Sequence, residues 1–249
     1  MPCNPRKTLA DAIRYHARVS KLDRSPAQAL NTMIAGLFNI LGCHPLSMYH
    51  TIDESYYINF KSPERMKEIE SISAMTTAYL EMVKANEPFH DVLTDLASEF
   101  LGRGGEAMGQ FFTPRDLALL TVQLALSGQL PKLRQKAAAG ELLKVSDPTG
   151  SGTGSLLLAL LYELRKQAPE LLPSVGVYAV DLDVNMARTT AVQVIWNCLI
   201  HQVDVAHVSV WHANAITEYQ AKAPMVVYQP KVVNTELFNQ RTEEVRHAA

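Results

Sequence analysis

The sequence predicts an α/β fold: a helical N-terminal region over residues 1–108, then a parallel sheet with helical crossovers over residues 109–249. Three observations predict it. Apolar residues recur at helical spacing from Met66 to Val83 and again from Phe89 to Phe100. From Leu142 onward, short apolar runs alternate with segments of helix length. Between the first such run and its helix lies Asp147-Pro148-Thr149-Gly150-Ser151-Gly152-Thr153-Gly154. Strand, glycine-rich turn and helix, in that order, present backbone N–H groups to a nucleotide-like ligand.

Each element has its own signal. Ser62-Pro63 opens a helix with Ser as N-cap and Pro at the first helical position. Met66, Ile69, Ile72, Thr76, Tyr79, Leu80 and Val83 line its apolar face. Pro88 opens the next helix, with Phe89, Val92, Leu93, Leu96 and Phe100 as its stripe, and Gly102 to Gly105 end it. Leu46 to Lys61, rich in Tyr, Ser and Asp, reads as a loop with at most a short strand. Thr113 is placed to cap a helix with Pro114 at its first position and Asp116 at its third. Leu117, Leu120, Thr121 and Leu124 share one face of that helix, and Gly128 ends it. A short helix over Leu133–Ala139 leads into strands at Leu142–Ser146, Val175–Val180, Val205–Val210 and Met225–Tyr228. The helix after the second strand carries Val184, Ala187, Val194, Ile195 and Cys198. A doubly wound sheet follows, with one more helix expected over Thr235–Val245.

Bulk composition narrows the class. Of 249 residues, 47% are hydrophobic and 19% charged, which implies a packed core and excludes disorder. The formal net charge of −2 supplies no global field for nucleic acid. Any DNA contact must run through a local patch or a partner subunit. The one basic cluster is Arg6, Lys7, Arg14, Arg18, Lys21 and Arg24, which reads either as a solvated helix face or as a phosphate-contacting surface. Cys3, Cys43 and Cys198 are too widely spaced for a disulfide framework, and Cys43-His44 with His50 reads as loop rather than a metal site. No metal and no membrane span are expected, and a cytoplasmic protein is the default.

Two carboxylates set the ligand chemistry. The turn lacks the Gly-Lys-Ser/Thr of a Walker-type phosphate loop. Asp147 stands before the glycines, where it would pair with a cationic amino group; Asp181 ends the second strand, where it would accept ribose hydroxyls. Together they point to S-adenosylmethionine rather than a dinucleotide. The alternative for each is a helix cap or a loop position.

With Gly109-Gln110-Phe111-Phe112-Thr113-Pro114 added, the chain resembles the N6-adenine DNA methyltransferases of the type I modification-subunit kind. The resemblance covers roughly residues 88–216 and includes Asp91 to Leu96 and Ala187 to Asn197. It implies a class I methyltransferase, Rossmann-like sheet. It implies that Phe112, Thr113 and Pro114 line the methionine end of the cofactor. Asp147, Gly152, Thr153 and Gly154 would hold the amino-acid part, Asp181 the ribose, and Asn214 the adenine ring. The alternative for Phe111 and Phe112 is packing as core aromatics at a helix start.

Four departures accompany the matches. The cofactor turn carries one extra residue between Pro148 and the best-matching Gly-Thr-Gly. Asn214 replaces an acid; its side-chain oxygen would still accept a bond from the adenine amine. Where the family has Asn-Pro-Pro-Tyr/Phe, this chain reads Tyr228-Gln229-Pro230-Lys231-Val232. Gln229 and Pro230 are thus a degraded catalytic position, because the chemistry needs an amide at Asn reach, a Pro-fixed carbonyl and an aromatic lid on the flipped base. Finally, four strands are read where the family has about seven, so the sheet is expected to be truncated, with its fourth strand near an open edge. The expectation is a cofactor-binding, catalytically impaired relative acting as a subunit or regulator of DNA modification. A specificity subunit or a second copy would be its partner. Two alternatives are an active enzyme completed by a partner, and a non-enzymatic interaction protein on the same scaffold.

Overall fold

The computed structural model describes residues 4–43, 46–107, 111–147, 150–219 and 221–230. Its N-terminal half is helical. α1 (Pro5–Val19) is capped by Asn4, whose side chain accepts from the Arg6 and Lys7 N–H groups. α2 (Pro26–Leu41) is capped by Ser25, with Pro at its first position. After β1 (His50–Ile52) come α3 (Pro63–Met66), α4 (Ile69–Ala85) and α5 (Thr94–Ala107), which kinks at Gly102. α6 (Arg115–Leu126) and α7 (Leu130–Ala138) precede the strand–helix alternation: β2 (Leu143–Asp147), α8 (Ser155–Gln167), β3 (Val175–Asp181), α9 (Val184–His201), β4 (His207–His212) and β5 (Val226–Tyr228). Among the described residues no helix is long and apolar enough to cross a membrane.

The sheet runs β1-β5-β4-β3-β2. β2, β3 and β4 are parallel, as expected, whereas β5 is antiparallel to β4 and β1 is antiparallel to β5. The expectation of a wholly parallel sheet is therefore corrected at its last strand. Between His212 and Val226 the described chain holds turns and no helix, and without a helical crossover it returns antiparallel. β5 is also not an edge: β1, drawn from the Leu46–Lys61 segment, pairs with it and takes that edge, with β2 at the opposite one.

α9 is the hub of the molecule. Every residue from Met186 to Cys198 is buried, polar ones included, because the helix lies between the sheet and the N-terminal helices. Trp196 Nε1 donates to the Leu37 carbonyl at 3.3 Å, and His201 Nε2 meets the Val83 carbonyl at 3.1 Å. One continuous apolar core runs from Leu9 and Met75 through Ile195 to Val208.

Several helices start differently from expectation. The single helix expected from Ser62 to Val83 breaks at Lys67 and Glu68 into α3 and α4. Residues 88–93 are not helical. Asn197 and Gln193 of α9 take the N–H groups of Phe89, Val92 and Leu93, and Asp91 caps α5 by accepting from Thr94 N–H at 3.1 Å. α6 starts at Arg115 with Pro114 in the cap position, and Thr113 makes no cap bond. Its buried stripe is Ala118, Val122 and Leu126, which pack towards α8. Leu117, Leu120 and Leu124 face outward, 53%, 53% and 70% exposed.

Candidate functional site

The parallel register brings three strand ends together. Asp147 pairs with Ala179, and Asp181 pairs with His212, so both acids stand at the C-terminal edge of the sheet. This is the edge where open α/β sheets take ligands. Asp183, the N-cap of α9, adds a third carboxylate.

Asp181 is nearly buried and doubly engaged. Its Oδ2 accepts the Gly152 N–H at 2.7 Å and its Oδ1 accepts the Asp183 N–H at 2.8 Å. Burial pushes its pKa up; the two backbone bonds oppose this, and the Asp183 and Asp147 charges add to it.

The glycine turn is folded onto this acid. Gly150, Gly152 and Gly154 have φ of 110°, 56° and 86°, which a side chain would strain. A Cβ on Gly154 would sit 3.3 Å from Thr190 Cγ2, and one on Gly152 would sit 3.8 Å from Phe112 Cδ1. Phe112 is therefore brought over the turn. Thr190 Oγ1 holds the loop from below, donating to the Gly152 carbonyl at 3.0 Å.

A buried polar network anchors the same turn, and sequence reasoning missed it as a site feature. Thr94 Oγ1 lies 2.5 Å from Thr153 Oγ1 and 2.7 Å from Ser155 Oγ. Ser155 donates to Asp91 Oδ2 at 2.8 Å, and Gln193 Nε2 donates to the Thr153 carbonyl at 2.8 Å. The Asp91-x-x-Thr94 cap spacing is the signal that reveals it. Thr153 consequently turns its hydroxyl into the core and leaves the edge only its backbone.

The remaining expected positions fall in two places. Thr113 is half-buried and Pro114 exposed, directly before α6. Phe111 is 80% exposed, so it is not a core aromatic. Asn214 follows β4 on the same edge as Asp181; its Oδ1 already accepts Ile216 and Thr217 N–H groups at 2.9 and 3.2 Å. Both lone pairs of that oxygen are thereby engaged, and its amide N–H₂ is the group that points to a ligand as donor. Gly109, Gln110, Pro148, Thr149, Lys231, Val232 and the segment Thr235–Val245 lie outside the described residues.

Gln229 and Pro230 are not brought to this edge. Tyr228 pairs with Val208, which pairs with Val177, four residues short of Asp181. At ~3.3 Å per residue that is roughly 13 Å along the strand. Gln229 continues away from the acids and donates its backbone N–H to the Tyr49 carbonyl at 2.9 Å. Tyr228 is buried beside His50, ring centroids 5.0 Å apart, and burial pushes its phenol pKa up.

One cluster away from the edge has ligand-like composition. His16, Asp23 and Glu68 converge in the N-terminal helices. Arg65 fills it, donating to both Asp23 oxygens and lying 3.5 Å from Glu68. A cation is already supplied by the protein there.

The chain is similar to known proteins. A relative, the methylase subunit of the type I restriction enzyme MpnII from Mycoplasma pneumoniae, is 24% identical over 156 residues. The alignment covers 62% of this chain and 25% of that subunit, so the chain spans about a quarter of the relative's length. A solved Listeria monocytogenes structure, assigned to the class I S-adenosylmethionine-dependent methyltransferases, aligns with TM-score 0.42 and 15% identity over 78% of this chain and 50% of that one. Residues 84–246, well over half of the chain, match the family model for N-6 DNA methylases, and the chain belongs to that family.

Proposed function

We propose that this chain binds S-adenosylmethionine at the acidic strand edge, does not methylate adenine at a useful rate, and serves as a subunit or regulator in DNA modification. The observation that carries the reading is the convergence of Asp147, Asp181 and a side-chain-free glycine turn under Phe112. The donor set fits a cationic ligand. Burial and two neighbouring carboxylates leave Asp181 poorly stabilised as an anion, and a sulfonium and an ammonium would relieve this. A pyrophosphate would be repelled by the same charges. An ionised carboxylate offers about four acceptor positions, of which Asp181 has used two, leaving two for ribose hydroxyls. Asp147 would hold the amino group, and the backbone of Gly152 to Gly154 the carboxylate end. Phe112, Thr113 and Pro114 would close the methionine side, and the Asn214 amide would donate to an adenine ring nitrogen. In this reading residues 1–108 form the helical unit that supports α9, and residues 109–249 the cofactor unit.

When bound, S-adenosylmethionine supplies an electrophilic methyl group. Transfer to adenine further requires acceptors for the N6 hydrogens and an aromatic lid. Gln229 is a methylene longer than Asn, and it lies towards the other end of the strands. Tyr228, which precedes Gln229 in the chain, is committed to the core. These features support cofactor binding without transfer.

The exposed stripe of Leu117, Leu120 and Leu124 supports a role as a subunit, since an apolar helix face on the surface marks an interaction site. The Mycoplasma relative is a methylase subunit by name, and a specificity subunit or a second copy is the partner we propose. Calorimetry with S-adenosylmethionine and S-adenosylhomocysteine tests the cofactor reading. Saturable heat with both is expected, and no heat at millimolar ligand would sink it.

A further inference from the structure

The chain carries a formal net charge of −2, yet three arginines gather on one cleft. The cleft has a volume of about 400 Å³ and is lined by Arg14 and Arg18 of α1, Arg24 and Pro26 at the start of α2, and Glu99 and Phe100 of α5. Its one carboxylate is spoken for: Glu99 accepts from Arg14 and pairs with Arg6 at 3.6 Å. The Arg14 guanidinium carbon also lies 5.4 Å over the Phe100 ring, which fixes its plane.

Arg18 and Arg24 are different. Both are exposed, and among the described residues neither has a carboxylate within ion-pair distance. Arg24 uses its Nε on the Lys21 carbonyl at 3.3 Å. The first turn of α2 holds no acidic residue, so the positive end of a 16-residue helix adds to the same field. Guanidinium forks match phosphate oxygens two bonds at a time, and Arg is the side chain best suited to this. Phe100, half-buried at the cleft wall, offers an apolar surface to a sugar.

We propose that this cleft is a phosphate site for the DNA backbone, with Arg18 and Arg24 as its two contacts and Arg14 as a fixed wall held by Glu99. It narrows the basic cluster of α1 to those residues; Lys7 and Lys21 are not part of the lining. The proposal rests on the reading that the chain works on DNA. The contact is to the backbone, so it carries no sequence information.

The test is fluorescence anisotropy of a short labelled duplex with the whole chain, at a series of salt concentrations. The double variant Arg18→Ala/Arg24→Ala should bind at least about tenfold more weakly and lose roughly 2 from the magnitude of the log–log salt slope, at about 0.9 per phosphate contact. Arg18→Lys/Arg24→Lys should keep the slope, and Lys132→Ala, on the exposed face of α7, should change nothing. Thermal melts should be the same for all four proteins. If the wild type binds duplex and the Ala double variant binds it with unchanged affinity and slope, the cleft is the wrong site and the DNA reading stands. If the wild type binds no duplex at any salt while calorimetry shows inorganic phosphate in the cleft, the DNA source is wrong. In both cases the proposal is overturned, and cofactor binding is untouched.

Discussion

Single carboxylates carry most of the chemistry, and they are tuned in opposite directions. Burial opposes the Asp23 carboxylate, but bonds from His16, Arg65 and Thr32, and the Arg65 charge, outweigh it and hold its pKa well below the ordinary 3.8. A carboxylate held below its unfolded value contributes stability that is complete above that value and is lost as pH falls towards the folded one. Acid unfolding should therefore begin below about pH 4. Asp23→Ala should destabilise by about 2 kcal/mol at neutral pH, since it leaves half-buried Arg65 with only the longer contact to Glu68 and buried His16 without its acceptor, and should flatten the acid limb of a stability–pH curve. Asp181 is tuned upward. On protonation it loses acceptor positions, so cofactor affinity should fall at a higher pH than for an ordinary Asp. Asp181→Asn should weaken binding by about 2 kcal/mol, roughly thirtyfold, in calorimetry. Asp181 was legible as a strand end in the sequence because it closes the apolar run Val175–Val180 directly before a segment of helix length. Thr153 was not legible as a core residue. Its hydroxyl direction is set by Thr94, 59 residues away in sequence.

Elements were legible wherever local pattern and packing agree. Caps at Ser62 and the strand at Val175–Asp181 needed no tertiary information. α6 did, because two apolar stripes run along it and only contact with α8 selects Ala118, Val122 and Leu126. Leu120→Glu/Leu124→Glu should change thermal stability by less than about 0.5 kcal/mol while abolishing self-association or partner binding in sedimentation. A melting temperature that collapses instead would show this face to be core. The glycine turn depends on backbone shape at a left-handed residue. Gly154→Ala adds a methyl at φ 86° and 3.3 Å from Thr190, and should cost about 1–2 kcal/mol in thermal unfolding and weaken cofactor binding with it. β5 illustrates the opposite limit: its existence is written in Met225 to Tyr228, its direction only in the helix-free return from β4.

At the scale of the whole molecule, the sheet separates the residues we propose for the cofactor from Gln229 and Pro230. Asp147, Asp181 and the glycine turn occupy the C-terminal edge, anchored by α9. Gln229 leads away from them, tied by its backbone to Tyr49. The function we propose for the chain is therefore the cofactor half of a methyltransferase centre without base handling. Incubation of the whole chain with tritiated S-adenosylmethionine and mixed-sequence DNA tests this most directly. Cofactor retained by the protein, with no label in N6-methyladenine above background, is the expected result. Robust label in N6-methyladenine, abolished by Gln229→Ala, would contradict it.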